Sequence, residues 1–218
     1  MDIPFKFENT PECLDEICHR IDHYIDHECT VKRQNVVSIG LNIFGRINPE
    51  TGCSYTYFNF SERPLSELLS EHFCIPVWVD NDSRACAYGE YMTHIREEGR
   101  NILFINVTWG LGLGIIIDGK PYAGKSGFSG ELGHIHAFEN EVLCHCGKKG
   151  CLETEASGSA MYRKFQERIA QGDTSTLTSP DGPFGITNPE DVTLDQLIEA
   201  TQREDILCID ILEEIGNN

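Results

Sequence analysis

Three cysteines and the histidines near them are the side chains of this sequence best suited to chemistry. Cys144, Cys146 and Cys151 lie within eight residues, in a segment that contains two glycines and can therefore turn tightly. His134 precedes the first cysteine by ten residues. Thiolate and imidazole are the ligands that tetrahedral zinc prefers, and a zinc site closed by four protein ligands is structural. The sequence therefore predicts a structural zinc ion bound by His134 and the three cysteines.

Two kinds of alternative to this assignment stay open. His136 and His145 could each replace His134 as the fourth ligand, because both lie close to the cysteines in the chain. A redox-active pair or a chance grouping would also place cysteines close together, but three of them in one short, glycine-bearing segment favour a metal site.

Two neighbouring segments carry a family resemblance. Residues 130–134 read Gly-Glu-Leu-Gly-His, and residues 144–153, ten positions on, read Cys-His-Cys-Gly-Lys-Lys-Gly-Cys-Leu-Glu. Together they resemble the signature of the repressor/ORF/kinase (ROK) family, whose members are bacterial sugar kinases and sugar-responsive repressors with an actin-like, two-lobed fold. Residues 80–90 are similar to the family's sugar-site segment, and the resemblance covers most of residues 30–170.

The resemblance implies a sugar pocket. The residues that match the family's hexose ligands are Asn81, Asp82, Glu131, His134 and Glu153. Carboxylates and amides can accept from and donate to adjacent hydroxyl groups, as recognition of a polyol requires. A zinc ion on one nitrogen of His134 would fix the ring so that the other nitrogen faces a sugar hydroxyl. The alternative for Asp82 is a structural role as the N-cap of the helix that follows it.

In family kinases, the residue that matches Asp82 is the general base that takes a proton from the sugar hydroxyl as it attacks ATP. ATP and Mg²⁺ are therefore expected as cofactors only if this chain is a kinase. Gly110, Gly112 and Gly114 occupy the place of a phosphate-facing turn, since glycines let backbone N–H groups approach a phosphate closely. Trp109 stands where family kinases usually have threonine, which favours a sensor.

Two expected kinase segments have no match in the sequence. The family's first phosphate loop, an Asp-x-Gly-x-Thr segment, should lie before residue 1, and nothing in residues 1–35 resembles it. The chain ends at Asn218, before the adenosine-contacting segment expected of the family. No basic recognition helix of a helix-turn-helix is present either. The sequence is therefore expected to be a fold truncated at both ends, with DNA bound only through a helix-turn-helix absent from this chain.

The charge of the chain indicates which partners it is unsuited to bind. The 218 residues include 35 acidic and 17 basic side chains, for a formal charge of -18, which repels phosphate backbones. No signal peptide or membrane-spanning run is visible, so a cytoplasmic protein is expected. Seven further cysteines lie among apolar neighbours and are expected in the core, namely Cys13, Cys18, Cys29, Cys53, Cys74, Cys86 and Cys208.

The elements that must position these residues follow from hydrophobic periodicity and turn residues. In the first half we expect a helix over residues 11–28 and a hairpin formed by residues 36–47 and 53–60. A short helix should begin at Pro64. A buried strand over residues 75–79 should deliver Asp80, Asn81 and Asp82 at its end, with a helix starting near Ser83.

In the second half, strands are expected at residues 102–107 and 114–117, on either side of the Gly-rich turn. A helix through Met161 and Phe165 should end at Gly172. After a long loop, a capping box formed by Thr193 and Gln196 should begin a last helical region that runs to Ile215.

The resulting prediction is an α/β protein with an actin-like, ribonuclease H-like architecture. Residues 1–98 would form a partial small lobe, and residues 99–218 a partial large lobe with the zinc and sugar sites. The favoured function is the inducer-binding core of a sugar-responsive transcriptional regulator that forms a homo-oligomer. The alternatives are an ATP-dependent hexose or amino-sugar kinase and a degenerate protein with neither activity.

Overall fold

The computed structural model describes residues 7–95, 99–179, 182–186 and 188–217. The chain divides into two compact units. The first contains the described residues up to Phe104 together with Gly114–Gly130, and the second contains Ile105–Leu113 and the described residues from Glu131 onward. A lobe boundary near residue 98 stays a prediction.

The first helix, α1, spans Pro11–His23 and continues as a π-helix over Tyr24–Glu28. The hydroxyl of Thr10 accepts a hydrogen bond from the Cys13 N–H, and a proline in the first turn suits the helix start. The predicted helix over residues 11–28 is therefore confirmed, with its last turn wound as a π-helix. The buried side chains of this helix join the core of the first unit.

A two-stranded parallel sheet forms the centre of the first unit. Strand β1 (Ile39–Ile43) pairs with β4 (Val77–Asn81), and helix α2 (Leu65–Phe73) precedes β4 in the chain. Helix α3 (Asp82–Glu90) begins immediately after β4. The strand predicted over residues 75–79 is displaced by two residues, so Asp80 and Asn81 are its last residues and Asp82 begins the helix, one residue before Ser83.

The predicted hairpin is much shorter than expected. Only β2 (Ile47–Asn48) and β3 (Cys53–Ser54) pair antiparallel, while β1 pairs with β4 instead. Gly45 has a φ of +93° and Phe58 a φ of +55°, and neither value is compatible with an extended strand. The prediction that residues 36–47 and 53–60 form one hairpin was therefore wrong in its extent.

The expectation for the scattered cysteines holds only in part. Cys13, Cys18 and Cys208 are buried, whereas Cys74 and Cys86 are exposed, so core placement was wrong for the latter two. All ten cysteines are free thiols.

A three-stranded sheet has the order β5-β6-β7. Its strands are Ile102–Val107, Leu111–Ile117 and Lys120–Pro121. Strand β6 begins three residues before the predicted position, so the Gly-rich turn between β5 and β6 is short. Asp118 and Gly119 both have positive φ, as a tight turn after β6 requires.

Three helices build the core of the second unit. Helix α4 (Gly158–Ala170) is followed by Gly172 with a φ of +102°, as predicted. The capping box at Thr193 is present and begins α5 (Leu194–Gln202). The last helical region is not continuous, because α6 (Ile206–Gly216) has its own N-cap at Asp205.

In the described part of the chain, no helix combines the length and the apolar character that crossing a bilayer requires.

Candidate functional site

The structure brings the four predicted zinc ligands together. One ligand atom from each of His134, Cys144, Cys146 and Cys151 lies within 4.8 Å of the other three. The Sγ atoms of Cys146 and Cys151 are 3.6 Å apart, and Cys144 Sγ is 3.6 Å from His134 Nδ1. A tetrahedral zinc ion would set two sulfurs about 3.8 Å apart and a sulfur and nitrogen about 3.6 Å apart, from its usual bond lengths. The cluster therefore has the dimensions of a zinc site.

A tight loop holds the three thiols together. The Cys144 N–H donates to the Lys148 carbonyl over 2.8 Å, and the Gly147 N–H donates to the Cys144 carbonyl over 2.9 Å. Gly150 has a φ of +71°, and a Cβ atom there would lie 1.9 Å from the Phe138 carbonyl oxygen. Gly150 is therefore required both by its conformation and by the close approach of the neighbouring backbone.

The electrostatics of the thiols also favour a bound cation. Burial raises the pKa of the Cys144 thiol to about 12 in the metal-free chain, and hydrogen bonds with the Cys146 and Cys151 side chains act in the same direction. Burial likewise raises the pKa of Cys151, whereas at Cys146 the Lys148 backbone N–H and the neighbouring thiols outweigh burial and lower the pKa, so two of the three thiols resist ionisation unless a positive charge is present. A divalent cation would supply that charge and stabilise the thiolates.

The two alternative histidines lie elsewhere. The Nδ1 atom of His136 is 3.2 Å from the Lys149 carbonyl oxygen. The Nδ1 atom of His145 is 3.0 Å from Oε1 of Glu153 and 4.0 Å from Cys144 Sγ. Among the described residues, neither belongs to the group formed by the three cysteines, whereas His134 does.

The Glu153 carboxylate is buried against the backbone of the Gly-rich turn. Its side chain is buried, with the residue 8% exposed, and Oε2 accepts a hydrogen bond of 2.9 Å from the Leu111 N–H. A Cβ atom on Gly110 would lie 2.8 Å from Oε2, and one on Gly133 would lie 3.3 Å from it. Gly110 is thus placed where a side chain would displace the carboxylate, whereas a Cβ atom on Gly133 would first meet the Leu111 carbonyl oxygen, at 2.3 Å.

The charge state of Glu153 follows from its hydrogen bonds. Burial by itself raises the pKa of this carboxyl, but hydrogen bonds from His145 and from the Leu111 N–H outweigh it and lower the pKa below the ordinary value. The same hydrogen bond raises the pKa of His145. Glu153 is therefore a buried carboxylate, suited to accept from a hydroxyl group.

Three predicted sugar ligands are near one another in the second unit. His134 Nε2 lies 3.8 Å from Oε2 of Glu131. One atom each of His134, His145 and Glu153 falls within 4.8 Å of the other two. With Nδ1 of His134 directed to Cys144, the ring has one nitrogen on the cysteine side and one on the Glu131 side, as the zinc and sugar predictions require.

The other two predicted ligands belong to the first unit. The Asn81 side chain caps α3 by accepting from the Arg84 N–H over 3.0 Å, and its Nδ2 donates to the Gly45 carbonyl and to Oδ1 of Asp82, each over 3.0 Å. Asp82 is the first residue of α3. The alternative that Asp82 is the N-cap was wrong, since Asn81 fills that role. That all five residues bind one ligand stays a prediction.

Arg84 was not singled out by sequence reasoning. The residue is 3% exposed, its Nη2 lies 2.6 Å from Oδ1 of Asp80, and it donates to the carbonyls of Ile47 over 3.1 Å and Gly127 over 3.3 Å. It therefore connects the segment that carries Asn81 and Asp82 to β2 and to the loop before residue 130. A lone arginine in an alanine-containing helix gives no sequence signal of this burial.

The Gly-rich turn has partners within the chain. Thr108 and Trp109 accept hydrogen bonds from the first N–H groups of α4, those of Gly158 over 2.8 Å and Ser159 over 2.9 Å. Trp109 is 58% exposed, and its ring lies 5.7 Å from that of Tyr162.

Close packing explains why two positions of this turn are glycine. A Cβ atom on Gly110 would meet Glu153, and one on Gly114 would lie 2.2 Å from the Cβ of Ala87. Phosphate binding by Gly110, Gly112 and Gly114 stays a prediction.

Comparison with known proteins gives the family. The model of the ROK family matches residues 5–218. A xylose repressor from Bacillus subtilis is 30% identical over 161 residues, which are 73% of this chain and 42% of the repressor. A glucokinase from Halalkalibacterium halodurans is 32% identical over 187 residues, which are 84% of this chain and 55% of the enzyme.

A solved structure gives the same result for the fold. The ROK family glucokinase from Streptomyces griseus, in complex with glucose and AMPPNP, matches with a TM-score of 0.79 and 26% identity, over 95% of this chain and 65% of the enzyme. This chain spans about half the length of the curated relatives it matches, and those relatives include both regulators and sugar kinases. With its mixed α/β structure and actin-like ATPase fold, the chain belongs to the ROK family.

Proposed function

We propose that this chain is the sugar-binding, inducer-sensing core of a ROK-family transcriptional regulator, with a hexose or amino sugar as its ligand. The observation that carries the proposal is the Gly-rich turn, which faces Glu153 and the start of α4. Leu111 donates its N–H to the Glu153 carboxylate, and the Thr108 and Trp109 carbonyls accept from α4. The N–H groups of Thr108 and Leu111 already donate, to the Gly110 carbonyl and to Glu153, so fewer backbone donors of this turn are left for a phosphate, which favours a turn that positions a sugar ligand.

The metal centre has a structural role in this proposal. Zinc would be held by His134, Cys144, Cys146 and Cys151, and it would supply the positive charge that stabilises the thiolates. His134 then has a fixed ring, with Nε2 on the side of Glu131. Buried Glu153 and half-buried Glu131 and His134 offer acceptors and a donor to vicinal hydroxyl groups of a sugar.

Regulation requires that the sugar bind two conformations with different affinity. Helix α4 is the element suited to report the ligand, because its first N–H groups are bonded to the same turn that holds Glu153. The charge of -18 makes this chain by itself unsuited to contact DNA, so DNA contact in a regulator would depend on another element. The proposal includes a homo-oligomer. It also includes a reducing, cytoplasmic location, and the ten free thiols support that location.

The second candidate function is an ATP-dependent sugar kinase. Asp82 favours it, because the carboxylate lies at the end of β4 and is held by the Asn81 side chain, in a position suited to a general base. Glucokinases are also among the relatives. In this case ATP and Mg²⁺ would be required, and the sugar pocket would be unchanged.

Sugar binding and ATP turnover separate the two candidates. The purified chain is titrated calorimetrically with D-glucose, D-xylose, N-acetyl-D-glucosamine and N-acetyl-D-mannosamine, and its melting temperature is followed with each. A ligand that binds the native state raises its stability by mass action. We expect one sugar to bind and no sugar-stimulated ATP hydrolysis. Turnover that the sugar stimulates and that Asp82→Asn abolishes would establish the kinase instead, and absence of binding by all four sugars would contradict both functions.

A further inference from the structure

We propose that His145 is a positioning residue of the sugar site, which holds the Glu153 carboxylate in place, and that it is not a ligand of the metal at the cysteine cluster. This inference rests on the proposed sugar-binding function and adds a residue to its site. Sequence reasoning treated His145 only as a substitute for His134 at the metal. In the structure, the His145 side chain instead contacts the carboxylate of Glu153.

Distances separate His145 from the metal cluster. Its Nδ1 atom is 4.0 Å from Cys144 Sγ, whereas His134 Nδ1 is 3.6 Å from the same sulfur. A nitrogen and a sulfur bound to one tetrahedral zinc would be about 3.6 Å apart. His134, and not His145, groups with all three cysteines among the described residues. The four-coordinate site is therefore complete without His145.

The hydrogen bond of His145 is made to Glu153. Its Nδ1 lies 3.0 Å from Oε1, while Oε2 of the same carboxylate accepts from the Leu111 N–H over 2.9 Å. Oε1 also lies 3.8 Å from the Cys144 thiol, which would give up its proton to a bound metal, so His145 and the Leu111 N–H are the donors that remain to set the plane of the carboxylate. A carboxylate oxygen has two lone pairs, so each can still accept from a ligand hydroxyl.

His145 lies at the protein surface, beside Glu153 and His134. Its side chain is 50% exposed, whereas that of Glu153 is 10% exposed. The ring lies edge-on to that of His134, with centroids 5.0 Å apart and planes at 72°. One atom each of His134, His145 and Glu153 falls within 4.8 Å of the others. A ligand that reaches Glu153 between these rings would meet a carboxylate already oriented by His145.

Without the His145 donor, Oε1 of Glu153 should lose the hydrogen bond that holds it in place. Asparagine at this position can place an amide N–H near the place of Nδ1, so His145→Asn should keep the hydrogen bond. Leucine keeps bulk without a donor, so His145→Leu should lose it. Histidine 94 gives a matched control, because its Nδ1 is also 3.0 Å from a glutamate carboxylate, that of Glu90, on an exposed helix surface.

The test is calorimetric titration of the unmodified chain, His145→Leu, His145→Asn and His94→Leu with the four sugars named above, together with metal analysis. For the sugar that binds the unmodified chain, we expect His145→Leu to weaken binding roughly tenfold, the effect of losing one good hydrogen bond in a charged site. His145→Asn and His94→Leu should stay within about threefold of the unmodified chain. All four proteins should contain equal zinc.

A double-mutant cycle tests whether His145 acts through Glu153. In a Glu153→Gln background, we expect His145→Leu to change affinity by less than about twofold, since the carboxylate it positions is gone. Equal sugar binding by His145→Leu and the unmodified chain would overturn the inference, as would loss of zinc from His145→Leu or full additivity in the cycle. If the unmodified chain binds none of the sugars, the proposed function itself fails and the inference falls with it.

Discussion

The backbone N–H of Leu111, at the start of β6, donates a hydrogen bond of 2.9 Å to Oε2 of Glu153, which lies two residues after Cys151. The hydrogen bond joins the Gly-rich turn to the cysteine loop inside the second unit. Only proline would remove this backbone donor, and it would also fix the backbone at the start of β6, so the contact is best disturbed from the glycines around it.

Gly110→Ala should weaken sugar binding while leaving the fold intact. The added Cβ would lie 2.8 Å from Oε2 of Glu153, which is the far end of a side chain and can move away. We expect affinity to fall roughly tenfold, by loss of about one charged hydrogen bond, with zinc content unchanged. Gly89→Ala is the control, because its Cβ would meet nothing within 4 Å. Calorimetry showing equal affinity for both variants would contradict the prediction.

Glu153→Gln should lower sugar affinity tenfold to a hundredfold, because a hydrogen bond to a charged group contributes about 1.5 to 3 kcal/mol. The substitution keeps the shape and one carbonyl acceptor but removes the charge. Glu199→Gln gives the same chemical change on the exposed surface of α5, where the carboxylate pairs with Arg203. Titration calorimetry on both variants is the measurement, and unaltered binding by Glu153→Gln would exclude it as a sugar ligand.

Cys146→Ser should reduce zinc from one ion per chain to a small fraction of that amount. A structural zinc contributes on the order of 10 kcal/mol to the folding of small zinc modules, so residues 131–155 should become sensitive to proteolysis. Cys86 is exposed and lies far from the cysteine cluster in the sequence, so Cys86→Ser should keep its zinc. Elemental analysis of protein purified without chelator decides the matter. A metal-free unmodified chain, or a disulfide between two of the clustered cysteines, would refute the zinc site.

Arg84→Met should destabilise the first unit by about 3 kcal/mol, because it leaves the Ile47 and Gly127 carbonyls without their donor and Asp80 without its partner. Arg63→Met is the matched control, since that guanidinium pairs with Glu67 and Glu71 on the surface. It should leave the free energy of unfolding nearly unchanged. Urea unfolding of the two variants measures the difference, and equal midpoints would show that burial of Arg84 does not matter.

Asp205 should give the second unit a pH-dependent stability. Burial alone raises the pKa of this carboxyl, but hydrogen bonds from the Cys208 N–H and from Thr176 and Ser175 outweigh it and lower the pKa. A folded-state pKa below the unfolded value of about 3.9 means that the stabilisation is present above that pH and is lost as pH falls through the folded value.

Asp205→Asn should accordingly cost about 2 kcal/mol at neutral pH, and the difference from the unmodified chain should shrink below about pH 4. Asp210→Asn, on the exposed face of α6, is the control. General effects of acid and loss of metal at low pH should change its stability and that of the unmodified chain equally. Urea unfolding between pH 7 and pH 3 gives the measurement. A difference that is constant across this range would show that the charge of Asp205 does not contribute.

The parts of the site that sequence reasoning found are those held together by short stretches of chain. Three cysteines within eight residues have little room to separate, and a strand that runs directly into a helix places Asn81 and Asp82 at its end. Local capping signals at Thr10, Thr193 and Gly172 were also reliable, because they depend on neighbouring backbone.

The parts that sequence reasoning missed are contacts between distant residues. Leu111 and Glu153 are 42 residues apart, and Arg84 and Gly127 are 43 apart, so neither pair leaves a local pattern. The β-rich composition of residues 36–47 indicated a strand but gave no information on its partner, which is the parallel strand β4. The break at Gly45 depends on the close approach of Thr56, which periodicity does not report.

The two nitrogens of His134 face different partners, Nδ1 toward Cys144 and Nε2 toward Glu131. An imidazole shared between a metal and a sugar makes the two binding equilibria reciprocal, so each ligand strengthens the other by the same factor. Bound sugar would then raise the equilibrium affinity of the chain for zinc, measured by competition with a chelator, by the factor by which zinc raises its affinity for the sugar. If the chain has the proposed regulatory function, zinc starvation would weaken its response to the sugar, and metal supply would tune its sensitivity.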